Sequence, residues 1–90
     1  MSQMVSYSLG FKKSVAKDLR TIPNNDVKRI LNRIESLCEN PRAEGCVKLS
    51  GEEKYRVRQG VYRIIYEIQD KELIVLVVKV AHRSHVYKGS

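Results

Sequence analysis

Two stretches of the chain carry side chains that can hold phosphate and move protons. The first contains Lys54, Arg56, Arg58 and Arg63, with no acidic residue between them. Planar guanidinium forks match phosphate oxygens in a bidentate way that a lysine point charge does not. The second is Val80-Ala81-His82-Arg83-Ser84-His85-Val86-Tyr87, which places two imidazoles, a guanidinium and a phenol within a few residues. Imidazole and phenol transfer protons, and fixed cations stabilise the charge that develops on a pentavalent phosphorane. Taken singly, each residue has an ordinary explanation. A basic strand can be a solvated face paired with Glu52, Glu53 or Glu67, His82 and His85 can be surface histidines, and the ring of Tyr87 can cover the edge of a core.

The elements that must position these residues follow from periodicity. From Lys54 onward the apolar period is two, as in strands. Gln59-Gly60 is expected to turn a hairpin between Tyr55–Arg58 and Val61–Gln69, which would set Arg58 opposite Val61, Arg56 opposite Arg63 and Lys54 opposite Ile65. Alternation then puts Lys54, Arg56, Arg58 and Arg63 on one face, and Tyr55, Val57, Tyr62 and Ile64 on the other. Like charges directly opposite one another destabilise a sheet by a few tenths to about 1 kcal/mol, a cost that a bound anion would relieve. Asp70-Lys71 is expected to turn into a last strand, Glu72–Val80. Because Leu73–Val78 is apolar at every position, that strand should be at least partly covered on both faces and lie centrally in the sheet.

The first half reads as helical. Met4–Leu9 alternates as an opening strand, after which Phe11, Val15, Leu19 and Ile22 recur at helical spacing until Pro23 ends the pattern. Asn24, Asn25 or Asp26 is expected to cap a second helix. In it Val27, Ile30, Leu31, Ile34, Leu37 and Cys38 form an apolar stripe, while Lys28, Arg29, Asn32, Arg33 and Glu35 face water. Asn40-Pro41 stops it, and Gly45 and Gly51 flank a short Cys46–Leu49 segment. The expected fold is α+β, in the order β-α-α-β-β-β, with a helical hairpin packed on one face of a mostly antiparallel sheet.

Ninety residues make a single domain, residues 1–90, with one core. The net charge of +7 and the pI near 9.7 favour an anionic partner. Cys38 and Cys46 lack a second Cys or His pair at zinc-site spacing and read as reduced, inert thiols. No run approaches the roughly 18 apolar residues of a membrane span, and no apolar leader follows the N-terminus, so a cytoplasmic location without membrane attachment is expected.

Several blocks are similar in order and spacing to RelE-type members of the RelE/ParE superfamily of toxins. In the second half they are Lys48-Leu49-Ser50-Gly51, Tyr55-Arg56-Val57-Arg58, Gly60-Val61-Tyr62-Arg63-Ile64-Ile65-Tyr66-Glu67-Ile68, and Val77-Val78-Lys79-Val80-Ala81-His82-Arg83 with Val86-Tyr87. Phe11-Lys12-Lys13-Ser14, Lys17-Asp18-Leu19, Ile22-Pro23 and Asn40-Pro41-Arg42 match the helical half.

The resemblance implies the toxin of a type II toxin–antitoxin system. It would be a ribosome-dependent endoribonuclease that cleaves mRNA in the A site through attack of a ribose 2′-OH, giving a 2′,3′-cyclic phosphate and a free 5′-OH. It also implies an acidic, RelB-like antitoxin that wraps the toxin, with operator DNA reached only through that antitoxin. No cofactor is implied, and the arginines carry the electrostatic work that a metal does elsewhere. By position, Arg56 and Arg58 stand at the two basic sites of the first hairpin strand, Arg63 at the arginine of the second, Arg83 at the late arginine and Tyr87 at the terminal tyrosine. The familiar pattern has lysines where Arg56 and Arg58 stand. An arginine does not give up its proton near neutral pH, so the 2′-proton acceptor becomes Tyr87, its phenol favoured as phenolate by surrounding guanidinium charge, with His82 in reserve. Two other readings share the basic surface: a ParE-type gyrase inhibitor acting through protein contacts, and a non-catalytic RNA- or ribosome-binding module.

Overall fold

The computed structural model describes residues 6–43, 45–49 and 54–82. Their order is β1 (Ser8–Phe11), α1 (Lys13–Arg20), α2 (Asn24–Glu39), β2 (Val47–Lys48), β3 (Lys54–Gln59), β4 (Tyr62–Gln69) and β5 (Ile74–His82). The expected α+β architecture is the one found. Both helices cover one face of a five-stranded sheet ordered β1-β5-β4-β3-β2. β1 runs parallel to β5, and every other neighbouring pair is antiparallel.

Several boundaries differ from the sequence reading. The opening strand is Ser8–Phe11 rather than Met4–Leu9, whose first two residues lie outside the described ones. Phe11 is the last residue of that strand, paired with Val77 and half exposed, instead of the first of a helical stripe. Sheet pairing outweighs its helical spacing, because the next backbone N–H, that of Lys12, also reaches Val77 O, at 2.9 Å. The Cys46–Leu49 segment supplies a two-residue strand, β2, so four strands follow the helices. β5 is interior, between β1 and β4, while β4 occupies the middle.

The core lies between the helices and the sheet. β4 alternates strictly, with Tyr62, Ile64, Tyr66 and Ile68 buried. They meet Tyr55 and Val57 of β3, Val75, Val77 and Val80 of β5, Val15 of α1, and Ile30, Ile34 and Leu37 of α2. Each such aliphatic side chain contributes about 1.5–3 kcal/mol on burial. Val27, Leu31 and Cys38 complete the α2 stripe as half-buried residues. The N-cap of α2 is Pro23, with no side-chain cap bond, and Asn24 is the first helical residue. The expected Asn or Asp cap is therefore replaced by proline geometry, with φ −58° at the cap. Asp26 sits in the first turn instead, where its carboxylate complements the helix dipole and accepts from Tyr62 Oη at 3.3 Å.

At the end of the sheet remote from the Gly60 turn, polar side chains lock the loops together. Arg42 donates through Nη2 to Asp70 Oδ2 at 3.0 Å, through Nη1 to Asp70 Oδ1 at 3.3 Å and through Nε to Tyr55 Oη at 3.2 Å. Tyr7 Oη donates to Asp70 Oδ1 at 2.8 Å. Tyr66, fully buried, sends its hydroxyl to Pro41 O at 2.6 Å, so the α2 stop is bonded to the middle strand. The Arg42 guanidinium, and then the Tyr7 hydroxyl, hold the Asp70 carboxyl below the usual range.

Candidate active site

Three local features decide which side chains gather at the opposite end. The first is the β3–β4 turn. Gln59 pairs with Tyr62, so the two loop residues are Gly60-Val61, not Gln59-Gly60. Gly60 adopts φ +63°, which a turn with glycine at the first central position requires. The register is consequently Arg58↔Arg63, Arg56↔Ile65 and Lys54↔Glu67, in place of the expected Arg56↔Arg63. The shift amounts to two residues, so the faces are unchanged: Lys54, Arg56, Arg58 and Arg63 stay on the side away from the helices. The opposed like charges are now Arg58 and Arg63. Glu67 stands across from Lys54, four residues along β4 from Arg63, while Glu52 and Glu53 lie outside the described residues.

The second feature is the loop between β4 and β5. It spans residues 70–73, wider than an Asp70-Lys71 turn, because Gln69 pairs with Ile74 and Leu73 takes the left-handed conformation at φ 55°. The third is a bulge in β5. Ile65 pairs with Lys79 but Tyr66 pairs with Val77, leaving Val78 as the extra residue. Parity therefore changes along β5, and Val77 and Val80 both enter the core. Asp18 of α1 braces the region: its Oδ2 accepts Val80 N–H at 3.1 Å and its Oδ1 meets Lys79 Nζ at 3.3 Å.

This bulge determines where the end of β5 places its residues. Ala81 pairs with Arg63 on the arginine face. His82 pairs with Tyr62 on the helix-side face and packs edge-on against its ring, with centroids 5.4 Å apart. The reserve proton acceptor thus lies across the sheet from Arg56, Arg58 and Arg63. Its aromatic neighbour Tyr62 is kept in the phenol form, its pKa raised by burial and then by Asp26. Arg83 and Tyr87 lie outside the described residues.

One residue was misplaced by sequence reasoning. The apolar stripe puts Arg33 on the water-facing side of α2, yet it is half buried and its Nε is fully enclosed. The available signal was its position three residues after Ile30 and four before Leu37, both fully buried, which puts it at the margin of the stripe. Arg33, Arg56 and Arg58 line a common cleft with Gly45, Val47 and Val57. Such a surface can hold phosphate oxygens by charge-assisted hydrogen bonds, whereas its guanidiniums cannot accept a proton near neutral pH. Among the described residues, no three His, Cys, Asp or Glu side chains converge as a metal site.

Comparison with known proteins identifies relatives of this chain. The model of the ParE toxin of type II toxin–antitoxin systems matches residues 9–87. A protein named as toxin RelE1 in Methanocaldococcus jannaschii is 31% identical over 89 residues, covering 94% of this chain and 99% of that protein. The mRNA interferase toxin RelE of Escherichia coli is 28% identical over 88 residues, covering 92% of each. Among solved structures, the RelBE2 toxin–antitoxin complex of Mycobacterium tuberculosis superposes with a TM-score of 0.81 at 25% identity, covering 93% of this chain and 99% of the matched one. The chain therefore belongs to the ParE toxin family of type II toxin–antitoxin systems, within the RelE/ParE superfamily.

Proposed function

We propose that this protein is an mRNA interferase, the toxin of a type II toxin–antitoxin pair, which cleaves translated mRNA in the ribosomal A site. The observation that carries the reading is the arginine face. Arg58 and Arg63 oppose one another on adjacent strands, Arg56 stands beside them, and the acid nearest along β4, Glu67, faces Lys54. Relatives named as RelE and mRNA interferase support the same chemistry.

In this reading Arg56, Arg58 and Arg63 hold the scissile phosphate and neutralise the charge that grows as the 2′-oxygen attacks. The P–O5′ bond breaks, the 5′-oxygen takes a proton near Arg83, and a 2′,3′-cyclic phosphate remains. Tyr87 accepts or orients the 2′-proton, a role for which His82 is poorly sited because it packs against Tyr62 on the other face. The work is done in the cytoplasm, where translating ribosomes are. The antitoxin is an acidic, RelB-like chain, as the RelBE2 complex of the Mycobacterium tuberculosis relative suggests. The +7 charge would steer such a chain onto the toxin.

A second reading, gyrase inhibition, is favoured by the ParE family model. Primer extension on mRNA from cells expressing the toxin separates the two. Cuts phased with codons in the A site are expected, and gyrase-dependent DNA breaks without mRNA cuts would refute the nuclease.

A further inference from the structure

The arginine face does not end at the sheet surface. β2 is only two residues long and pairs Val47 with Arg56, so among the described residues no strand covers the edge of β3 beyond Arg56. A cleft of about 340 Å³ opens around that edge, lined by Arg33 from α2, Gly45 and Val47 from the β2 arm, and Arg56, Val57 and Arg58 from β3. Three arginines thus line one small space, and no carboxylate lines it among the described residues. Arg33 is the unusual member. Its Nε is enclosed and without a hydrogen-bond partner. Gly45, at φ +89°, carries the chain close over the guanidinium; a Cβ there would lie 3.5 Å from Arg33 Nη2. A buried charged donor left unsatisfied is destabilising, and an anion bound beside it offsets that cost.

We infer that this cleft is a second phosphate subsite, which binds a backbone phosphate of the single-stranded RNA next to the scissile one. The inference rests on the nuclease reading for the identity of its ligand. Arg56 and Arg58 belong both to the sheet face and to the cleft, so one extended strand held at the face continues directly around the edge toward Arg33. Their Cα atoms are about 6.8 Å apart along the strand, which lets the two side chains serve neighbouring groups of one ligand. Val47 and Val57 supply the apolar part of the lining, suited to the ribose and base rather than to a second charge. A backbone phosphate fits because its two non-bridging oxygens can accept from Arg33 and from one arginine of the β3 pair, while the other stays on the neighbouring group and the ribose lies against the apolar lining.

The test combines a direct titration with kinetics. In ¹⁵N spectra of the purified toxin, inorganic phosphate is expected to shift the arginine Nε–Hε resonance of Arg33 saturably, together with those of Arg56 and Arg58. Arg33→Gln should raise KM for mRNA cleavage on ribosomes by about tenfold, the effect of losing one charge-assisted hydrogen bond, with kcat within about twofold. Arg33→Lys should recover part of that loss. If phosphate moves Arg56 and Arg58 but not Arg33 while the wild-type protein still cleaves mRNA, the subsite is refuted and the nuclease reading survives. If phosphate saturates at Arg33 in a wild-type protein that cleaves no mRNA, the assignment to RNA is overturned along with that reading. An Arg33→Gln protein with normal KM but weakened antitoxin binding would assign the cleft to an acidic peptide instead. The wild-type titration requires no variant to fold.

Discussion

Arginines are used in opposite ways at the two ends of the β3–β4 hairpin. Beside its open end, Arg42 is held by a carboxylate, Asp70, and by the hydroxyl and ring of Tyr55, with the ring centroid 5.6 Å from the guanidinium carbon. At the turn end, Arg58 opposes Arg63, and Arg33 and Arg56 complete a cluster whose cleft contains no acid among the described residues. The first arrangement stabilises loops and leaves little for a ligand to gain. The second sets two like charges, Arg58 and Arg63, directly opposite one another by sheet register, a repulsion that a bound polyanion would relieve. The charge an arginine faces, more than its exposure, separates the two ends.

That contrast can be broken by removing one member at a time. Arg63→Ala should lower single-turnover cleavage by about 10²- to 10³-fold, as for loss of one transition-state donor, and should abolish growth arrest on induced expression. Its melting temperature should stay close to that of the parent, because Arg63 lies outside the buried core; a folded variant that remains toxic would remove it from the mechanism. Tyr87→Phe should slow the same step by about 10²-fold while ribosome binding persists. If His82→Ala has that effect and Tyr87→Phe does not, the proton acceptor is the helix-side imidazole.

Changes at the other end should have the reverse signature. Arg42→Ala is expected to lower the melting temperature by a few degrees, since it releases Asp70 and Tyr55 together, and to leave cleavage unchanged at a temperature where the variant is folded. A loss of activity in the folded variant would show that the two ends are coupled. The smallest effect concerns pH. The Asp70 carboxyl is held low by Arg42 and then Tyr7, so its contribution to stability is present above the unfolded carboxylate pKa and fades as pH falls through the folded value. Asp70→Asn should therefore flatten acid melting curves below about pH 4. A variant with unchanged acid sensitivity would show that the contact carries no linkage.

Much of this site could be read from residue order. Alternation from Lys54 to Gln69 grouped the basic residues on one face and Tyr55, Val57, Tyr62 and Ile64 on the other, as found. The turn was misassigned by one position, and the resulting two-residue slip changed the partner of Arg63 without changing any side chain's face. Stripe counting found Ile30, Ile34 and Leu37 but left Arg33 in water, because a residue at the margin of a helix face is classified by what packs beside it.

The sequence by itself determined the α+β order and the shared face of Arg56, Arg58 and Arg63, because both follow from periods of 3.6 and 2 that local backbone geometry imposes. Tertiary structure alone decided the face of His82. The run Leu73–Val78 is apolar throughout and contains no parity signal, so nothing within it marks Val78 as the extra residue. The bulge is braced by Asp18, 62 positions before Val80, whose carboxylate accepts a backbone N–H in the bulged region. A contact so distant along the chain exists only once α1 has docked on β5, and it is then that the end of the strand turns Ala81 toward Arg63 and His82 toward Tyr62.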